Sequence, residues 1–257
     1  GTTETDFHVL SVDKTDGRVE MTLPSEIESQ LNIISETIID INSNDLTLSE
    51  NAWVYSDNGS NRQVEFGFSK DKCIINTGSD TDPLDGAFLT KELPSSYSGN
   101  YVVDLPISTD SVYTPFKITF NVNGATFGSS ASVSVKPVPQ EHPEVEQPSV
   151  SLEKYWVVKS DDITINTGGV DVRGYYDNSE VQGSEGNYSI LYFSPSYDDP
   201  AGYWQIDPGE SDDIVNFNDK LWYSQQNSEL DGDWLIGEES AAKAIYYARA
   251  DGNYNDP

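Results

Sequence analysis

Cysteine and histidine are almost missing from this chain: Cys73, His8 and His142 are all there are in 257 residues. A lone cysteine has no internal disulfide partner, so cysteine usage carries no information on redox compartment. Its place in the apolar run Lys72-Cys73-Ile74-Ile75 predicts a buried, inert thiol. Nucleophilic catalysis of the Ser-His or Cys-His kind needs an imidazole beside the nucleophile, and neither His8 in the first strand-like run nor His142 in a proline-rich stretch offers a motif for it. No histidine pair has zinc-ligand spacing, and neither a CxxC nor a glycine-rich phosphate loop occurs, which disfavours zinc and nucleotide enzymes.

Positive charge is scarce as well. Fourteen Lys and Arg stand against 44 Asp and Glu, a formal charge of -30, so nucleic acid and anionic membrane surfaces are repelled at long range. The same charge fits a salty or calcium-containing exterior, where counterions screen the carboxylates, and it fits plain solubility equally well. No run of 18 apolar residues could form a membrane span, and the chain does not start with a basic segment followed by an apolar one. Gly1 before the polar Thr2-Thr3-Glu4-Thr5-Asp6 reads as a tag scar or a processed end. The expectation is an extracellular or cell-surface protein, lipid-anchored through a removed N-terminal segment.

Hydrophobic residues make up 36%, below the usual globular share, but 11% aromatics are too many for a disordered chain. Residues 1–136 read as short strands at 7–12, 18–23, 52–55, 63–68, 72–76, 101–105, 116–122 and 131–136. Many alternate apolar with polar, as in Phe116-Lys117-Ile118-Thr119-Phe120-Asn121-Val122. Asp57-Asn58-Gly59 and Asn123-Gly124 are left-handed turn formers that predict hairpins and hence antiparallel sheets. Ile27, Leu31, Ile34 and Ile38 recur at helical spacing after Ser25, with Glu28 placed as in a capping box, and predict one helix.

The stretch Pro137-Val138-Pro139-Gln140-Glu141-His142-Pro143-Glu144-Val145-Glu146-Gln147-Pro148 has four prolines and three glutamates and predicts an extended, semi-rigid linker. Beyond it lie four of the five tryptophans and eleven of the fifteen tyrosines. Strands are expected at 155–159, 163–166, 170–176, 188–193, 203–206 and 221–223. A helix is expected from about Glu238 to Ala250, on the face Ala241, Ala244, Ile245 and Ala248. The fold class expected is therefore mostly β: two β-sandwich-like domains in tandem, with a short helix in the first and a C-terminal helix in the second. The units are an Ig-like or β-sandwich domain over 1–136, a Pro/Glu-rich linker over 137–149 and a Tyr/Trp-rich β domain over 150–257.

With so many acids, close carboxylate pairs of the kind that hydrolyse glycosides arise by chance, and no pair stands out. Calcium favours oxygen-rich loops, and Asp80 to Gly86, Asp207 to Asp213, Asp231-Gly232-Asp233 and Asp251 to Asp256 are of that composition. The first departs from the EF-hand pattern, with Asp85 sixth and Lys91 twelfth, so calcium stays open as a cofactor and no metal ligand is assigned.

The aromatic doublets carry most information: Tyr155-Trp156, Tyr175-Tyr176, Tyr192-Phe193, Tyr203-Trp204 and Trp222-Tyr223. Adjacent strand residues point to opposite faces, so each doublet sends one ring away from any single core. That outer ring either meets a ligand or is covered by a second layer. Rings near Asp198 and Asp199 would offer a sugar an apolar platform with acceptors at its rim, which makes Tyr176, Asp198, Asp199, Tyr203, Trp204 and Trp222 the candidate ligand-binding residues. No residue is a catalytic candidate. The function expected is a non-catalytic surface or secreted binding protein, carbohydrate-binding or adhesive, whose partner is a glycan or another surface protein. A structural assembly subunit of fimbrial, capsid or spike type and a polysaccharide hydrolase with a carboxylate pair are the alternatives.

Overall fold

Two-residue alternation dominates the chain, and strands follow from it. The computed structural model describes residues 4–15, 17–57, 62–77, 87–109, 112–167, 169–194, 202–209 and 211–242. It is mostly β, and among the described residues no helix reaches seven residues. The first ten strands are β1 (Thr5–Asp13), β2 (Gly17–Glu20), β3 (Ser25–Ile34), β4 (Thr37–Asp40), β5 (Leu46–Leu48), β6 (Trp53–Ser56), β7 (Cys73–Ile75), β8 (Leu89–Glu92), β9 (Tyr101–Leu105) and β10 (Ile107–Ser108). Nine more follow: β11 (Phe116–Phe120), β12 (Ala125–Val138), β13 (Tyr155–Ile165), β14 (Val170–Tyr175), β15 (Tyr188–Ser194), β16 (Tyr203–Ile206), β17 (Ser211–Asn216), β18 (Leu221–Asn227) and β19 (Gly232–Glu238).

They form three sheets. A ten-stranded sheet runs β1-β3-β5-β8-β12-β13-β19-β15-β16, with β6 also on β3; a four-stranded sheet runs β10-β7-β4-β2; and a five-stranded sheet runs β17-β18-β14-β11-β9. The ladders among β1 to β8, and that of β10 with β7, are parallel, because the chain winds from one sheet to another and back instead of folding into hairpins. This corrects the antiparallel expectation for the first half. The turn at Asn123 has the left-handed φ of 58° that its residue type favours, yet it joins β11 to β12 in different sheets and is a corner, not a hairpin. No strand forms over 63–68.

The helix expected from Ile27 to Ile38 is also corrected: these residues are β3 and β4. Two facts explain the misreading. Opposite Phe7 to Val9 the ladder slips by one residue, so Glu28 and Ser29 together face His8, and the inward Ile27 and Leu31 are four apart, a spacing that shares one face in a strand as it does in a helix. The segment is also rich in isoleucine, whose β-branch is at ease in a pleated sheet. Near the C-terminus only a single 3-10 turn, Glu239–Ala241, lies within the described residues; the rest of the helix expected there lies outside them.

One apolar cluster joins Ile27, Leu31 and Ile33 of β3, Ile39 of β4, Phe116, Ile118 and Phe120 of β11, Val172 of β14, Trp222 of β18 and Trp234 of β19. The ten-stranded sheet has a second buried layer on its opposite face, made of Tyr155, Val157, Leu191, Trp204, Leu235, Ala241 and Ala242, with Val145 and Val150 against it. The stretch 137–149 supplies part of that cover. Pro137 and Val138 are the last residues of β12 and pair with Trp156 and Tyr155. The Glu146 amide donates to the Ala241 carbonyl at 2.9 Å, and His142 is buried. The proline-rich segment thus packs on the sheet. Cys73 is buried, as its neighbours predict.

Candidate binding groove

β19 begins at Gly232 and pairs with β13 at Trp156, Val157 and Val158, whereas β13 runs on to Ile165 with β12 as its one ladder partner there among the described residues. Beside this stretch past Val158 a groove of about 810 Å³ opens. Ile163 and Ile165 of β13, Tyr192 and Ser194 of β15, Tyr203 of β16 and the loop Ser228 to Asp233 line it. Glycine is required at 232: its φ is 152°, and a Cβ would meet the Phe193 carbonyl at 2.5 Å and the Tyr192 ring at 2.6 Å.

The polar groups of the groove are tied to one another. Glu229 accepts from the Tyr203 hydroxyl at 3.2 Å and from the Tyr192 hydroxyl at 3.4 Å, and Gln205 Nε2 donates to the Tyr203 hydroxyl at 3.1 Å. Tyr192 also donates to the Asp231 carbonyl, and the Asp231 carboxylate accepts from the amide and hydroxyl of Ser160. Burial first, and then the charges of Glu229 and Asp231, hold the Tyr192 phenol well above its ordinary range, so it stays a neutral donor. Behind the groove, Asp233 meets His142 Nε2 at 2.9 Å, while His142 Nδ1 accepts from the Glu144 amide at 3.1 Å. Because Nδ1 accepts, Nε2 carries the proton and donates to Asp233.

Of the sequence candidates among the described residues, Tyr203 alone lines the groove. Trp204 is 3% exposed on the second layer, with its Nε1 donating to the Glu144 carbonyl at 3.2 Å and its ring 5.0 Å from those of His142 and Phe193. Trp222 is 0% exposed in the main core between Phe116, Trp156 and Trp234, and Tyr176 is 4% exposed with its hydroxyl donating to Glu185 at 2.7 Å. These three rings are core, as the covered-on-both-faces alternative has it, with the proline-rich segment as part of the cover. Asp198 and Asp199 lie outside the described residues. Glu229 and Ser160 carry no local signal, whereas Tyr192 belongs to one of the aromatic doublets and Asp231-Gly232-Asp233 marks the loop by its oxygen-rich composition.

A second polar constellation lies on the outer face of the five-stranded sheet, where Asp104, Lys117 and Arg173 stand side by side in register. Glu65 reaches over them and accepts from Lys117 at 3.4 Å, Arg173 at 3.3 Å and Tyr175 at 2.9 Å. Burial tends to raise Glu65, but its backbone hydrogen bond, the Lys117 charge and the Tyr175 hydroxyl outweigh that and hold it below its usual range. Asp104 is 3.5 Å from Lys117, and burial pushes it up to about 6. These bonds tie the segment around residue 65 to the sheet.

Among the described residues no three acidic, histidine or cysteine side chains converge as a metal would require, and no helix is long and apolar enough to cross a membrane. Asp80 to Gly86 and Asp251 to Asp256 lie outside the described residues. Comparison with protein-family models, curated proteins and solved structures returns no match.

Proposed function

We propose that this protein is a non-catalytic binding protein of the extracellular or cell-surface kind and that it seats a saccharide in the groove beside Tyr203. The observation that carries this reading is a concave site in which a half-buried tyrosine, its hydroxyl fixed by Glu229 and Gln205, stands among carboxylates and apolar side chains. A sugar ring has apolar faces that stack on an aromatic ring and hydroxyls that donate to carboxylates, so those residue types in a cleft match it. The charge of -30 suits a salt-rich exterior. A glycan array followed by titration calorimetry tests the reading. Tyr203→Ala should weaken binding by at least about tenfold, as loss of an aromatic anchor does, with little change in melting. A wild type that binds no glycan, or a Tyr203→Ala variant that binds unchanged, would overturn it.

A further inference from the structure

The groove beside Tyr203 holds negative charge that its hydrogen bonds leave in place. Glu229, Asp231 and Asp233 line it, and their partners are neutral. Glu229 accepts from the Tyr203 hydroxyl on both oxygens, at 3.3 and 3.2 Å, Asp231 accepts from the amide and hydroxyl of Ser160, and Asp233 accepts from Nε2 of the neutral His142. Among the described residues no lysine or arginine pairs with any of the three. Lys159, the one basic residue along the groove, turns its ammonium to Phe88 in the second buried layer, 4.4 Å from the ring centroid. The tyrosine donors are committed as well, Tyr203 to Glu229 and Tyr192 to the Asp231 carbonyl. What the charged groups leave for a ligand is acceptor capacity: a carboxylate has about four lone-pair sites, and bonds from hydroxyls fill some of them without cancelling its charge. A concave, partly apolar cleft concentrates the field of such carboxylates, and the overall charge of -30 draws cations towards it.

We propose that the saccharide seated in this groove carries free amino groups: an oligomer or polymer of unacetylated hexosamine units, cationic in mildly acidic solution. The inference rests on the reading that the groove seats a saccharide, and it specifies the class. An ammonium has three donors and no acceptor, which complements walls whose charged groups only accept. The sugar ring that carries it stacks on Tyr203, beside the apolar Ile163 and Ile165. N-acetylation would remove the positive charge and set a carbonyl acceptor against the carboxylates, and a uronate would oppose like charges. A metal ion suits these carboxylates less well, because among the described residues no three acidic, histidine or cysteine side chains converge as its coordination requires.

Titration calorimetry of the whole chain with short oligomers of glucosamine, of N-acetylglucosamine and of a uronic acid, in mildly acidic buffer at low and high salt, tests the assignment. The glucosamine oligomer should bind at least about tenfold more tightly than the N-acetylated one, with the advantage shrinking as salt rises, and the uronate should not bind. Glu229→Gln keeps an acceptor for the tyrosine hydroxyls while removing the charge; alone it should lower the ratio of the two affinities, and together with Asp231→Asn it should bring that ratio close to one. Glu20→Gln, the same loss of charge at the exposed end of β2, should leave the ratio unchanged. Equal affinity for the amino and N-acetylated oligomers overturns the proposal while the saccharide reading stands, as does a ratio indifferent to the paired substitution. A linear polyamine that binds as tightly as the glucosamine oligomer also overturns it, since the groove then reads charge without a sugar ring. Binding of no saccharide at all removes both this inference and the reading beneath it.

Discussion

In the parallel half, Val19, Ile39, Ile74 and Ile107 stand in register across β2, β4, β7 and β10, one aliphatic side chain per strand in a continuous column. In the antiparallel half the same task falls to large rings: Trp156, Trp222 and Trp234 pack with Phe116 in the main core, while Tyr155 and Trp204 fill the layer on the opposite face of the sheet. Parallel strands that succeed each other at a fixed spacing need only side chains as wide as that spacing, and β-branched residues serve. Between the ten-stranded and five-stranded sheets rings fill the space, and glycine admits them. Gly174 lies opposite Trp222, and a Cβ there would meet the indole at 2.5 Å. A ring core therefore concentrates stability in few residues, and an aliphatic column spreads it over many.

The sharpest way to break this contrast is to truncate one member of each core. Trp222→Ala should cost about 3–5 kcal/mol, whereas Ile74→Val should cost about 0.5–1.5 kcal/mol, both read from denaturant midpoints. Equal losses would mean that the two halves share their load evenly. Of intermediate size is the fastening of the proline-rich segment. His142→Ala strips Asp233 of its donor and removes a ring that sits 4.7 Å from Tyr155 and 5.0 Å from Trp204, and should cost about 2–4 kcal/mol. Limited proteolysis should leave 137–149 intact in the wild type and cut it in the variant; early cleavage of the wild type there would show that the segment is only a tether.

A smaller effect than that of His142 concerns the place where the segment around Glu65 crosses the five-stranded sheet. Asp104 is held at about 6 against 3.8 when free, so between about pH 4 and pH 6 the folded chain binds more protons than the unfolded one, and stability falls as pH rises through that window. Asp104→Asn should remove this slope and stabilise the protein at pH 7.5 by about 1–2 kcal/mol, with no gain at pH 4. Urea melts at the two pH values check it, and destabilisation at pH 7.5 would show that the attraction to Lys117 outweighs burial.

Much of this architecture was legible locally. Strand alternation at Phe116 to Phe120, the buried setting of Cys73 and the left-handed turn at Asn123 each depend on a few adjacent residues and their own stereochemistry. The doublets likewise required that adjacent rings face opposite ways, and Tyr155 and Trp156 do so, one in each buried layer. What alternation cannot encode is the identity of the cover on each face or of the strand across each ladder, because those come from segments far away in the chain. The parallel winding of β1 to β8, the pairing that makes Ile27 to Ile34 a strand, the packing of 137–149 over Trp204 and the groove left where β19 stops short of β13 were all decided there. A hydrogen bond across a sheet is indifferent to side-chain sequence, so only the joint burial of distant apolar faces selects one pairing from the many that the local pattern allows.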